Sequence, residues 1–280
     1  MKIALTGATG FVGGHILAEL EKRNMTPTLL VRPASILSAS KSRHAMIAID
    51  IADPPDCNLF ELIGKPDTMI HCAWDGLPHY QSLHHFETEL ATQYQFIAKL
   101  IKDGLKNLLI TGTCFEYGMH SGALCETMIC QPINPYGFAK YTLLQKLNYL
   151  QRSHSFNLIW ARLFYLYGNG QAKNALFSQL KQAIYHGEPI FNMSAGEQLR
   201  DYLPIESAAN YLVSLAAFRQ NIDVINVCSG TPISIRSLVE RWISENNWNI
   251  KLNLGHYPYP DYEPMAFWGD NTKLNAILKE

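Results

Sequence analysis

An excess of charge is the first thing this sequence lacks: 23 lysines and arginines stand against 24 aspartates and glutamates, a formal net charge of −1. That balance gives no electrostatic case for nucleic acid or an anionic membrane as a partner. Long hydrophobic runs are missing as well. No apolar stretch approaches the roughly 18 residues needed to span a bilayer. The chain opens directly on a strand-like MKIALTG, without the charged-then-apolar layout of a signal peptide. Its six cysteines contain no C-x-x-C pair, so they read as reduced, mostly buried thiols of a cytoplasmic protein. Internal repeats, low-complexity tracts and Gly/Ser linkers are absent too.

What remains is an ordinary globular composition, 48% apolar over 280 residues, enough for one large domain or two interleaved lobes. Short apolar runs alternate with helical stretches. KIALTG, TPTLLVR, MIAID, DTMIHCA, KNLLITG, NLIWARL and VINVCS read as strands. Residues 12–23, 86–103, 136–153, 174–186, 206–218 and 234–246 read as helices. Repeated strand–helix units predict an α/β fold, a doubly wound parallel sheet covered on both faces. Past residue 165 strands become sparse, and GHYPYPDYEP (255–264) suits a cap over a site.

The first strand runs into Gly7-Ala8-Thr9-Gly10-Phe11-Val12-Gly13 and then a helix. Three glycines there permit a tight turn and close approach of backbone to a pyrophosphate, while the helix N-terminus offers free N–H groups. This predicts dinucleotide binding. The second strand ends in Arg32 with no carboxylate, and Lys41 and Arg43 follow, which favours NADP(H) with NAD(H) still possible. Asp50-Ile51 closes the third strand, where it either meets the adenine edge or forms a simple turn.

Residues 134–140 read NPYGFAK, setting Tyr136 four residues before Lys140, so both fall on one helical face. An ammonium beside a phenol favours the phenolate and lowers the tyrosine pKa from about 10. Around this pair, in chain order, stand His71-Cys72-Ala73, Thr111-Gly112-Thr113-Cys114-Phe115-Glu116-Tyr117-Gly118, Arg162-Leu163-Phe164-Tyr165, Arg200-Asp201-Tyr202 and Asn226-Val227-Cys228-Ser229-Gly230.

With the glycine loop, these motifs resemble the extended short-chain dehydrogenase/reductase family of nucleotide-sugar epimerases, dehydratases and reductases. The resemblance covers nearly the whole chain. It implies a Rossmann domain over 1–164, to which segments around 200–230 return, and a mainly substrate-binding lobe over 165–280. It implies that Tyr136 passes a proton to or from the sugar oxygen and that Lys140 holds the nicotinamide ribose. Thr113 then hydrogen-bonds the substrate oxygen, and Thr111 supports the cofactor side. Thr9, Phe11, Val12, Cys72, Ala73, Trp74 and Leu163 join the glycines along the cofactor. Asn174 and Arg200 would meet a sugar-nucleotide diphosphate, the alternatives being a helix N-cap for Asn174 and a surface ion pair for Arg200.

Departures from the family pattern narrow the reaction. The 4,6-dehydratases carry Asp-Glu where this chain has Cys114-Phe115, which argues against sugar dehydration. Cys114 reads either as a small core residue or as an acid catalyst. Glu116, taken as part of the strand, aligns with a structural apolar position. Tyr165, Asn169 and Glu89 replace the usual asparagine, proline and asparagine, and Tyr262-Glu263-Pro264 stands where a phosphate-binding arginine is usual. CAWDGLPHYQSLHHFETEL (72–90) is similar to the loop of reductases acting on dTDP-4-keto-6-deoxyhexoses. It brings Trp74 and Tyr80 near the sugar or into the core.

The implied function is therefore C4-keto reduction of a dTDP-4-keto-6-deoxyhexose to dTDP-D-fucose or a relative, for surface polysaccharide synthesis. The alternatives are a C4 epimerase with bound NAD and a non-catalytic NADP-binding regulator. Four histidines, His71, His79, His84 and His85, cluster in sequence, yet the reading includes no metal. A homodimer is expected through Phe96, Leu100, Leu143, Leu147 and Leu150, unless these face the sheet.

Overall fold

The computed structural model describes residues 1–35, 44–259 and 263–279. Seven parallel strands form the central sheet: β1 (Ile3–Thr6), β2 (Thr28–Val31), β3 (Met46–Ala48), β4 (Thr68–His71), β5 (Asn107–Thr113), β6 (Asn157–Leu163) and β7 (Asp223–Val227). Their order is β3-β2-β1-β4-β5-β6-β7. All seven sequence-predicted strands are therefore in one sheet. The order reverses between β1 and β4, and in open α/β sheets the crevice outside the carboxyl ends of such a pair is where ligands bind.

Both faces of the sheet are dry, which is why its strands read as continuous apolar runs rather than alternating ones. Along β1 and β2 successive side chains enter opposite cores. Ile3, Leu5, Leu29 and Val31 pack with helix α1 (Phe11–Lys22) and the helix Ile205–Ala217. Ala4 and Leu30 pack on the other side with helix α2 (Leu90–Asp103) and helix α3 (Pro135–Gln151). Phe96, Leu100, Leu143, Leu147 and Leu150 all belong to this second core. They face inward, so the residues on which the expected dimer rested are consumed within the chain.

Beyond β6 the chain builds a smaller core around Leu180, Phe191, Leu238 and Trp242. A fourth cluster of Cys114, Tyr117, Leu124, Phe164, Cys228 and Phe267 joins the two parts beneath the strand ends. All six cysteines are free, but only Cys114 and Cys228 are buried, and Cys57 is exposed. The expectation of mostly buried thiols holds for two of the six. Among the described residues no helix is long and apolar enough to cross a membrane, and no group of three or more His, Cys, Asp or Glu is set to hold a metal.

Candidate active site

The glycine turn is built as its spacing predicts. Gly7 has φ +73°, and a Cβ there would come within 2.8 Å of the nitrogen of Ala73, two residues past the end of β4. At Gly13 a Cβ would overlap the Gly7 carbonyl. Gly10 caps α1 without a side-chain hydrogen bond, and the first turn holds no acidic residue. The helix thus points free N–H groups and its positive end outward.

Beside this turn lies a cavity of about 470 Å³ lined by residues including Gly7, Thr9, Gly10, Arg32, Asp50, Ile51, Cys72, Ala73 and Trp74. Phe11 and Val12 occupy the first turn of α1 next to it. Asp50 both lines the cavity and forms a turn, its carboxylate accepting from the Ala52 N–H at 2.9 Å. Arg32 is 73% exposed, with one Nη 3.9 Å from Asp75. Lys41 and Arg43 lie outside the described residues. A cradle closed to a Cβ at Gly7 and Gly13, next to the cavity and a free helix end, fits a dinucleotide.

Helix α3 begins at Asn134, whose side chain accepts from the Gly137 N–H at 2.7 Å, with Pro135 in the first turn. The helix starts hard against the chain after β5: a Cβ on Gly137 would lie 2.6 Å from the Phe115 carbonyl oxygen. This contact brings the tyrosine turn beside Thr113. Lys140, only 2% exposed, donates to the Thr111 carbonyl at 2.9 Å. Thr111 also turns its hydroxyl to the His71 carbonyl. The Thr113 hydroxyl accepts from the Phe115 N–H, which leaves its own proton free to give. Leu163 sits opposite Thr113 in the register of β5 and β6.

The electrostatics of the pair differ from the expectation drawn from spacing. Burial, followed by Tyr80, Glu116 and Cys114, raises the Tyr136 phenol well above its ordinary value. Burial lowers Lys140 to about 8. The ammonium lies 5.9 Å from the Tyr136 ring centre and 4.0 Å from that of Trp74, so indole and carbonyl hold it rather than the phenol. His71 is buried and lowered to about 4. It bridges Thr6 and Gln93, tying β1 and β4 to α2.

Several residues stand elsewhere than their motifs suggested. The strand through Thr113 stops there, and Cys114–Tyr117 form a short 3-10 turn capped by Thr113. That turn rotates Glu116 inward, fully buried, to accept from Arg162 at 2.7 Å, the Trp160 indole at 2.9 Å and the Thr113 N–H at 2.8 Å. The signal was legible: Thr-x-x-Glu is a capping box. Burial raises the Cys114 thiol, which is thereby kept protonated.

Arg200, 2% exposed, is spent on Glu263 at 2.9 Å and on the Leu199 and Met265 carbonyls. Its guanidinium is committed to an ion pair, but a buried one rather than the surface pair given as the alternative. Tyr165 donates to the other oxygen of Glu263 and stacks on Tyr202. Asn174 is exposed, and Ala175 rather than Asn174 caps the helix Leu176–Tyr185. Glu89 is buried, accepting from Asp75 and Gln93. Tyr80 lies 5.5 Å from Tyr136, ring to ring. It lines a second cavity of about 310 Å³ together with His79, Gln81, Ser82, Phe115 and Asn134.

With this geometry in view, likeness to known proteins can be stated. Residues 3–228 match the NAD dependent epimerase/dehydratase family. The chain is 28% identical to dTDP-6-deoxy-L-talose 4-dehydrogenase (NAD(+)) of Aggregatibacter actinomycetemcomitans, over 96% of this chain and 99% of that protein. It is 23% identical to dTDP-6-deoxy-L-talose 4-dehydrogenase (NAD(P)(+)) of Kitasatospora kifunensis, over 93% and 83% of the two chains. In fold it resembles UDP-glucuronic acid 4-epimerase of Bacillus cereus in complex with UDP-glucuronic acid and NAD. That likeness has TM-score 0.80 and 22% identity, covering 100% of this chain and 93% of the other.

Proposed function

Because the chain belongs to the NAD dependent epimerase/dehydratase family, we propose that it is an NADP(H)-dependent oxidoreductase acting at C4 of a nucleotide sugar. Its substrate in this reading is a dTDP-4-keto-6-deoxyhexose, and its product dTDP-D-fucose or a stereoisomer such as dTDP-6-deoxy-L-talose. The observation that carries the reading is the gathering of Thr113, Tyr136 and Lys140 where β5 and α3 meet, all three buried, with the Thr113 hydroxyl and the Lys140 ammonium oriented by backbone partners. The full-length likeness to two 4-dehydrogenases of dTDP-linked 6-deoxysugars supports C4 as the reacting carbon.

A bound nicotinamide supplies the hydride to C4. The rest of the chemistry falls to the chain. Thr113 donates its free hydroxyl proton to the ketone oxygen and fixes its direction. Burial keeps the Tyr136 phenol protonated in the ligand-free protein, the form a ketone reduction consumes, and Tyr136 then protonates the alkoxide. Lys140 is the residue that would hold the nicotinamide ribose. Cys114 and Phe115 offer no acid–base pair for elimination of water, so C4 reduction is not coupled to dehydration.

Mixing the protein with NADPH and dTDP-4-keto-6-deoxyglucose should consume the reduced cofactor and yield a 6-deoxyhexose. Consumption of neither NADPH nor NADH would sink the reading, and tightly held, non-exchanging NAD would mark an epimerase instead. Arg32 sets the cofactor preference in this account, since a guanidinium at the end of β2 suits a 2′-phosphate. The variant Arg32→Ala should weaken NADPH binding by about tenfold to a hundredfold, the worth of a charge-assisted hydrogen bond, and leave NADH nearly unchanged. Equal losses for the two cofactors, measured by titration, would refute this role.

A further inference from the structure

Trp74 and His85 lie against the proposed reacting pair from the segment between β4 and α2. The Trp74 ring centre is 4.0 Å from the Lys140 Nζ, and the ring meets Tyr136 edge-on at 5.9 Å. The indole is in turn held by its only donor: Nε1–H gives to His85 Nδ1 at 3.1 Å. His85 is fully buried, with its ring 5.2 Å from that of Tyr136, and its Nε2 sits 3.0 Å from the His79 carbonyl.

These partners settle the form of the imidazole. An indole N–H can only donate and a carbonyl can only accept, so Nδ1 is bare and Nε2 carries the proton. His85 is therefore neutral. Its close seat depends on Gly76, which has φ +84° and whose added Cβ would stand 3.1 Å from His85 Cε1.

We infer that Trp74 and His85 are positioning residues for Lys140, with neutral His85 orienting the indole and the indole face fixing the ammonium against the Thr111 carbonyl. The inference rests on Lys140 and Tyr136 forming the reacting pair proposed above. A cation buried as deeply as Lys140 gains from an aromatic face, and the gain depends on that face staying turned toward it. Losing the His85 acceptor frees the indole to rotate.

Protonation of His85 should have the same result. Imidazolium has two donors and no acceptor, so the Trp74 N–H would then face another donor. The charged and titratable groups around His85 are His84 and Glu89 on its own segment, Lys140 and Tyr136 from α3, and Asp75, which meets His84 at 3.5 Å. Burial is the main cause that lowers His85, with His84 and Lys140 adding to it, while the His79 carbonyl and Glu89 oppose. The acid limb from this residue accordingly lies below the ordinary histidine value of about 6.5.

The experiment measures the rate at which an amine-reactive acylating reagent modifies Lys140 in ligand-free protein, by mass spectrometry, with exposed Lys22 as internal control. His85→Leu and Trp74→Phe should each raise Lys140 labelling by about tenfold, the double variant should add nothing further, and Lys22 should be unchanged. Gln has one acceptor and two donors, so His85→Gln should stay within about twofold of the original protein. It should also remove the fall in NADPH affinity at acid pH that protonation of His85 is expected to cause in the original protein. Unchanged Lys140 labelling in His85→Leu, additive effects in the double variant, or failure of His85→Gln to rescue would each overturn the inference. No sugar substrate enters this test, so it can fail while the proposed reduction stands, and the reverse.

Discussion

Removing one oxygen atom at residue 136 should cut turnover severely. In Tyr136→Phe, kcat is expected to fall by about 10³-fold, within the range for loss of a positioned general acid. Cofactor affinity should hardly move. Tyr136 is 8% exposed and packs through its ring against Trp74, Tyr80 and His85, contacts that phenylalanine retains. The loss therefore belongs to the proton and not to packing. Single-turnover kinetics with NADPH titration separate the two: unchanged turnover would remove Tyr136 from the reaction, and a non-catalytic cofactor-binding protein would behave in that way.

The largest effect on stability is expected at Glu116. Both members of the Glu116–Arg162 pair are nearly inaccessible, at 0% and 2% exposure. Deleting one charge leaves the other buried alone, and breaking such a pair typically costs about 3–5 kcal/mol. Glu116→Ala also orphans the Trp160 indole and the Thr113 N–H, so the loss should sit at the upper end of that range. Glu116→Gln keeps an acceptor and should cost less. Urea unfolding midpoints at constant m-value provide the measurement. A loss under about 1 kcal/mol for Glu116→Ala would mean that water or another group reaches the Arg162 guanidinium, contrary to the burial described. Because Glu116 also holds the Thr113 N–H, Glu116→Gln should lower kcat more than it raises the cofactor dissociation constant.

How much of this was readable from the chain differs from residue to residue. The glycine turn and the seven strands were legible because each is a local pattern: glycine spacing in one, runs of Val, Ile and Leu in the other. The spacing of Tyr136 and Lys140 likewise fixed their common face. Glu116 was misread because the apolar run was carried past Thr113, although the Thr-x-x-Glu signal of a capped turn was present. The partner and the burial of Arg200 could not be read. Its partner Glu263 lies 63 residues away in sequence, and no local rule pairs two residues brought together only by the fold. The lowered tyrosine pKa expected from Lys140 fails for a related reason, since spacing says nothing of Trp74 or of the burial that dominates both groups. For Leu143 and Leu147 the choice between a dimer interface and the sheet stayed open because helical periodicity defines a stripe and not what covers it, and the fold turns that stripe to the sheet.

The central claim is that the chain delivers hydride to C4 of a sugar nucleotide with Tyr136 supplying the proton. The most direct measurement supplies NADPH deuterated at the transferring position together with dTDP-4-keto-6-deoxyglucose and locates the label by NMR. One deuterium at C4 of a 6-deoxyhexose product is the expected result, and a parallel reaction with unlabelled NADPH gives the stereochemistry from the couplings of H4 to its neighbours. Deuterium at any other carbon, or a changed sugar that carries no label, would contradict the account.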